Sequence, residues 1–180
     1  MSHSTQTIHD KEFEIFIDEP TIQKRIEEIA GQINQDYAGR HPLFLCILNG
    51  AFMFASDLIK YLKFFPEISF IKVASYQGLG STGQIKSLIG LHEEISGRDV
   101  VIIEDIIDSG LTIESILKQL KDKKAKSIRL ASLLFKPDAF KGSYTVDYKG
   151  FEIPNAFVVG YGMDYDGIGR NLPDIYQLKA

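Results

Sequence analysis

The chain has 180 residues, 44% hydrophobic and 24% charged, an ordinary globular makeup long enough to bury about two thirds of the surface its unfolded chain would expose. Its 20 basic and 24 acidic residues give a net charge of −4, so it has no polycationic footprint for nucleic acid. The one cysteine, Cys46, lies in the apolar run PLFLCIL, and no apolar run approaches the roughly 18 residues a membrane helix needs. A buried thiol in a soluble, cytoplasmic protein without a membrane partner is expected.

In chain order, EFEIFID alternates as a short strand. In EPTIQKRIEEIAGQINQDYAG, residues Ile22, Ile26, Ile29, Ile33 and Tyr37 fall three and four apart, which predicts one face of a helix. Asp18 stands before Pro20 as its cap, and Gly39 marks a left-handed close. PLFLCIL reads as a buried strand that ends at NGA, before the helix-like FMFASDLIKYL. EISFIKVASYQ and IKSLIG read as two strands of a long hairpin with GLGSTGQ as a flexible tip. There follow strand VVIIED, turn IIDSG, helix LTIESILKQLKDKKA, strand SIRLASLLFK and the apolar run FVVGYG.

Strands alternating with helices imply an α/β domain over residues 1–180 with a mostly parallel sheet, and there is no internal repeat or linker. KPDAFKGSYTVDYKGFEIPN is a connection of about 20 residues, a length that is usually functional or carries local structure. Ligands of open parallel sheets bind beyond the carboxyl ends of the strands. Asn49, Glu104, Lys136 and Tyr161 all fall near predicted strand ends.

The informative stretch is VVIIEDIIDSGLT, Val100 to Thr112, where a buried strand runs into Glu104, Asp105 and Asp108. Unpaired carboxylates are costly to desolvate, so these acids call for partners. Gly110 permits close approach, Ser109 and Thr112 add hydroxyls, and the start of a helix near Leu111 adds partial positive charge, a combination suited to phosphate. The acids suit polyol hydroxyls and Mg2+. Together they describe a phosphorylated sugar. A plainer alternative has Asp108 or Ser109 capping the helix while Glu104 and Asp105 sit on a solvated edge. One acid would favour that alternative, but three acids with Ser, Gly and Thr in this order weigh against it.

This stretch resembles the phosphoribosyl pyrophosphate signature of purine phosphoribosyltransferases, particularly the hypoxanthine-guanine type. The resemblance extends in order and spacing to LNGAFMFASDL, SYQGLGSTGQIK, LLFKP, GFEIPNAFVVGYGMDY and RNLP, from Leu45 to Pro173. It implies a type I phosphoribosyltransferase fold with a small hood built from the terminal segments. It also implies Mg2+ dependence, and phosphoribosyl pyrophosphate, purine bases and nucleotide products as partners, in a homodimer or homotetramer.

Carried over by resemblance, Asp108, Ser109, Gly110, Leu111 and Thr112 cradle the ribose 5-phosphate, and Glu104 and Asp105 meet the ribose hydroxyls and the metal shell. Asp108 matches the general base near purine N7. Lys136 matches the donor to the 6-oxo group, which disfavours adenine. Phe157 matches the base-stacking ring, Val158 the residue whose backbone meets the purine edge, and Asp164 a residue of the purine site and a second metal position. Arg170 matches a pyrophosphate-binding arginine. Leu48, Asn49 and Gly50 match a tight pyrophosphate loop, often with a cis peptide before its second residue. Many relatives carry lysine where this chain has Asn49, and a backbone role survives that exchange. Ser75 and Tyr76 match the start of a mobile loop that covers the site.

Other signals carry less. GLGSTG fits G-x-G-x-x-G but leads into a strand pattern rather than the helix a dinucleotide motif requires. His3, His9, His41 and His92 have no metal-like spacing, and MDYDG lacks the twelfth-position acid of a calcium loop. A non-catalytic, RNA-binding regulator on the same fold would show a basic stripe and lost purine-site residues, and the chain shows neither.

Overall fold

The computed structural model describes residues 5–75, 85–91 and 93–179. Its N-terminal hairpin is β1 (Thr5–Ile8) and β2 (Lys11–Ile17), and helix α1 (Glu19–Asp36) follows. The predicted cap of α1 is present: Thr21 N donates to Asp18 Oδ1 at 3.0 Å, and Pro20 lies in the first turn. Ile22, Ile26, Ile29 and Ile33 are completely buried, and Gly39 is left-handed with φ 70°. The expected helix face is therefore the face that packs.

Strand β3 (Leu43–Leu48), helix α2 (Phe52–Lys60) and strands β4 (Glu67–Ser75) and β5 (Ile85–Ile89) come next. They are followed by β6 (Asp99–Ile107), α3 (Leu111–Asp122), β7 (Ser127–Phe135), β8 (Tyr148–Glu152), β9 (Val158–Val159) and β10 (Ile175–Leu178). Six strands form the main sheet in the order β5-β4-β3-β6-β7-β8, parallel except for β5, which runs antiparallel to β4. A second, antiparallel sheet of order β1-β2-β10-β9 joins the two ends of the chain and forms the hood.

The main sheet is covered on both faces, and period-two alternation sorts its side chains. Phe44 and Cys46 of β3 and Val101 and Ile103 of β6 pack with α1 and α2. Leu43, Leu45 and Ile47 with Val100 and Ile102 pack with Ile113, Ile116 and Leu120 of α3. Each such fully buried side chain stabilises the fold by about 1.5–3 kcal/mol relative to its exposed state. Cys46 lies inside this core, where burial pushes its thiol up to about 12. Among the described residues no helix is long and apolar enough to cross a membrane.

Several boundaries differ from the sequence reading. Strand β6 continues past Asp105, because Ile106 and Ile107 still pair with Leu134 and Phe135 of β7. The long connection contains β8, whose Lys149 and Gly150 disrupt the alternation that would have marked it. The apolar run FVVGYG yields only the two-residue β9, since Gly160 turns the chain at φ 96°. The tip GLGSTGQ lies outside the described residues, although the hairpin pairing of β4 with β5 is present.

Candidate active site

Strand β6 lies between β3 and β7, and its carboxyl end delivers the acids to the middle of the sheet edge. Glu104 is buried, and its Oε1 accepts from Asp105 N at 3.1 Å. Burial first, and the charge of Asp105 second, push the Glu104 carboxyl well above the usual carboxylate range. Asp105 reaches toward the loop after β3, where a Cβ on Gly50 would stand 1.6 Å from Asp105 Oδ2. Glycine at position 50 is thus what leaves room for the carboxylate. The preceding Leu48–Asn49 peptide is cis. On the far side, a Cβ on Gly162 (φ +99°) would lie 2.1 Å from Gly50 O, so two loops meet backbone to backbone.

Beyond β6, Asp108, Ser109 and the left-handed Gly110 (φ 83°) turn the chain into α3, whose first N–H groups are free of intrahelical partners. A Cβ on Gly110 would meet Tyr144 Oη at 2.6 Å and Phe140 Cε2 at 2.7 Å. Tyr144 Oη donates to Gly110 O at 2.9 Å, and Lys141 N donates to Ser109 O at 3.1 Å. The long connection therefore backs the turn, with Phe140 edge-on to Tyr144 at 5.1 Å. Leu48, Glu104, Asp108, Ser109, Gly110 and Thr112 line a cleft of about 270 Å³ here. The Leu111 side chain is 61% exposed and lies outside it.

A second cleft of about 240 Å³ adjoins it, lined by Asp105, Asp108, Lys136, Phe157, Val158 and Asp164, with Ile106 and Met163. Asp108 borders both clefts. Lys136 is buried at the end of β7: its N–H donates to Ile107 O at 2.9 Å, and its Nζ donates to Asp108 Oδ2 at 3.0 Å and to Asn155 Oδ1 at 3.4 Å. Phe157 is 45% exposed, and Val158 is buried.

Asp164 and Arg170 engage each other at 2.6 Å. Arg170 Nη1 also donates to Gly162 O at 2.7 Å, and Asp164 Oδ2 accepts from Gly167 N at 2.7 Å. Asp164 thus faces the second cleft, whereas Arg170 lines neither and braces the loop. Behind that loop, the left-handed Tyr161 (φ 48°) donates its hydroxyl to Asp57 of α2, which Gln23 of α1 also reaches at 2.8 Å. Ser75 ends β4 at the same edge of the sheet, and Tyr76 lies outside the described residues.

Tyr144, Phe140, Asn155 and Asp57 were not legible as site residues. Each acts by holding a backbone group or another side chain, and no local pattern reveals which distant partner a side chain will meet.

Among the described residues no group of three or more metal-ligating side chains is assembled. Glu104 and Asp105 nonetheless fit Mg2+, which is commonly held by one or two carboxylates and completes its shell with water and substrate phosphates. Oxygen-only donors beside a phosphate-suited turn are the appropriate chemistry for it.

Fold and site together set a turn after β6 that suits an anion beside a cleft bearing a buried lysine and an exposed aromatic ring beneath the hood. A family model described as "Phosphoribosyl transferase domain" matches residues 14–166. The hypoxanthine-guanine phosphoribosyltransferase of Bacillus subtilis is 43% identical over 172 residues, covering 95% of each chain. The bifunctional protein TilS/HprT of Listeria innocua is 42% identical over 97% of this chain, which spans 27% of that longer relative. The crystal structure of a hypoxanthine phosphoribosyltransferase from Staphylococcus aureus superposes with a TM-score of 0.88 at 41% identity, covering 92% of this chain and 91% of that one. The chain belongs to the phosphoribosyltransferase family, on its hypoxanthine-guanine branch.

Proposed function

We propose that the protein is a purine salvage enzyme that transfers the 5-phosphoribosyl group of phosphoribosyl pyrophosphate to N9 of a 6-oxopurine, giving IMP or GMP and pyrophosphate. The observation that carries this reading is the position of Asp108, shared by a cleft suited to a sugar phosphate and a cleft bearing a buried lysine and an exposed aromatic ring.

In this reading the turn from Asp108 to Thr112 holds the 5-phosphate through backbone N–H groups and hydroxyls, with the α3 dipole in support. The purine stacks on Phe157, meets the Val158 backbone and presents its 6-oxo group to Lys136. N9 attacks C1 of the ribose as the C1–oxygen bond to pyrophosphate breaks, and Asp108 accepts the proton from N7. The Asp108 carboxylate also offsets positive charge that develops on the ring. Leu48, Asn49 and Gly50 offer backbone donors to the pyrophosphate, and Arg170, which donates to the carbonyl of Gly162 in the loop that meets Gly50, is the side chain assigned to join them. Glu104 and Asp105, with Asp164 as a second position, would hold Mg2+, which would supply charge neutralisation for the departing pyrophosphate.

The lone buried Cys46 goes with a cytoplasmic setting. A single domain over residues 1–180 acting as a homodimer or homotetramer completes the reading. The exposed Phe52, Tyr61, Phe65 and Phe70 all lie between residues 52 and 70 and offer apolar surface for association.

The test is nucleotide formation by purified protein with phosphoribosyl pyrophosphate and Mg2+, offered hypoxanthine, guanine, xanthine or adenine separately. Turnover of the oxopurines without adenine is expected. Binding of phosphoribosyl pyrophosphate without turnover of any base would overturn the reading.

A further inference from the structure

The exposed ring of Phe157 would be a poor stacking platform if it turned freely, since a base gains from stacking only when the ring is held in a fixed plane. Its backbone is anchored, because Leu178 N donates to Phe157 O at 2.9 Å. Its side chain is held by residues that line neither cleft. Tyr165 stands perpendicular to it, with centroids 5.7 Å apart and planes at 82°. The completely buried Phe13 of β2 lies against both rings, at 6.1 Å from Phe157 and 6.0 Å from Tyr165.

Tyr165 is itself fixed from outside the site. Its backbone forms a tight turn with Ile168, closed by Tyr165 N donating to Ile168 O at 3.0 Å. Its hydroxyl crosses to the β1–β2 hairpin and donates to Asp10 Oδ1 at 2.8 Å. His9, at φ 54°, sets the hairpin turn and packs edge-on to the Tyr165 ring at 5.5 Å. Lys11 Nζ sits 4.8 Å from the Tyr165 centroid and 5.9 Å from that of Phe157. Three consecutive residues of one turn, His9, Asp10 and Lys11, therefore converge on a ring whose inward neighbour is Phe157.

We propose that Tyr165, held by Asp10, is a positioning residue for the purine site: the tip of the N-terminal hairpin sets the pose of Phe157 and through it the affinity for the base. The inference rests on the reading of Phe157 as the stacking residue. Neither Tyr165 nor Asp10 touches the sugar-phosphate cleft, so the effect falls on one substrate only.

The experiment is steady-state kinetics of the full chain with hypoxanthine and phosphoribosyl pyrophosphate varied in turn. Tyr165→Ala is expected to raise the purine KM roughly three- to tenfold, the range of one aromatic pair, with kcat and the phosphoribosyl pyrophosphate KM within about twofold of the parent. Tyr165→Phe and Asp10→Ala, which keep the ring and lose the hydrogen bond between hydroxyl and carboxylate, should each give a smaller rise in the same constant. Asp10→Asn, which keeps an acceptor at Oδ1, should restore the parent value. An unchanged purine KM in an active Tyr165→Ala protein overturns the inference alone, and a parent with no turnover overturns it together with the reading beneath it. If Tyr165→Ala does not fold, Tyr165→Phe and Asp10→Ala decide, and equal losses in both KM values and kcat would mean a general structural role and overturn the inference.

Discussion

Lys136 Nζ donates to Asp108 Oδ2 at 3.0 Å, so the cation assigned to the purine 6-oxo group and the carboxylate assigned to N7 hold each other. A 6-oxopurine would slip between them, giving each a new partner. Asp108→Asn keeps the size of the side chain and removes its basicity. It should lower kcat by about 10²–10⁴-fold, with the phosphoribosyl pyrophosphate KM within a few-fold of the parent. Unchanged turnover in single-turnover assays would remove Asp108 from the proton transfer.

Lys136→Gln tests the other half of the pair. A neutral amide can donate to an oxo group or accept from an amino group, so discrimination between hypoxanthine and adenine should shrink by roughly tenfold or more. The ratio of kcat/KM values for the two bases is the measurement, and an unaltered ratio would move specificity to another residue.

Two glycines at one contact should fail differently. In Gly50→Ala the added methyl meets the end of the Asp105 side chain, which can swing away. Folding should survive while the Mg2+ concentration needed for half-maximal activity rises several-fold. In Gly162→Ala the methyl meets Gly50 O at 2.1 Å on a backbone at φ +99°, and neither can yield cheaply. A loss of stability of about 1–3 kcal/mol is expected. Thermal midpoints and Mg2+ titrations of the two variants separate the cases.

Asp57 predicts a pH dependence. Burial works to raise its carboxyl, but hydrogen bonds from Lys60, Tyr161 and Gln23 outweigh it and hold the group below its ordinary value of 3.8. A carboxyl depressed in the folded state contributes stability that is present above its unfolded value and lost as pH falls through its folded one. Asp57→Asn should therefore cost about 1–3 kcal/mol near neutrality. The gap between parent and variant thermal midpoints should narrow as pH drops below 3.8. A gap that stays constant with pH would show that the charge of Asp57 is not what matters.

The parts of the molecule that were legible in sequence are those governed by neighbours along the chain. The α1 face from Ile22 to Ile33, the cap at Asp18 and the turn at Gly110 follow from local spacing and local sterics. The gathering of Asp108, Lys136 and Phe157 was reached by resemblance, since as isolated letters Lys136 reads as a surface lysine and Phe157 as an ordinary core residue. Strands β1, β8 and β10 were not read, because four or five residues of mixed polarity become strands only through partners elsewhere. The Asp164–Arg170 pair is likewise visible only once the loop is closed.

The hood carries a kinetic consequence. Its inner strands, β2 and β10, pair residues such as Glu14 and Gln177, separated by 163 positions, whereas the most distant neighbours of the main sheet, β3 and β6, pair Leu43 with Val100, 57 positions apart (100 − 43). Closing so long a loop exacts its entropy before any contact repays it, so the hood should be the late step of refolding and the first region to open afterwards. The wall assigned to the base would then form on a proposed sugar-phosphate site already in place. In pulse-labelled hydrogen exchange, the amides of β10 should acquire protection after those of β3 and β6.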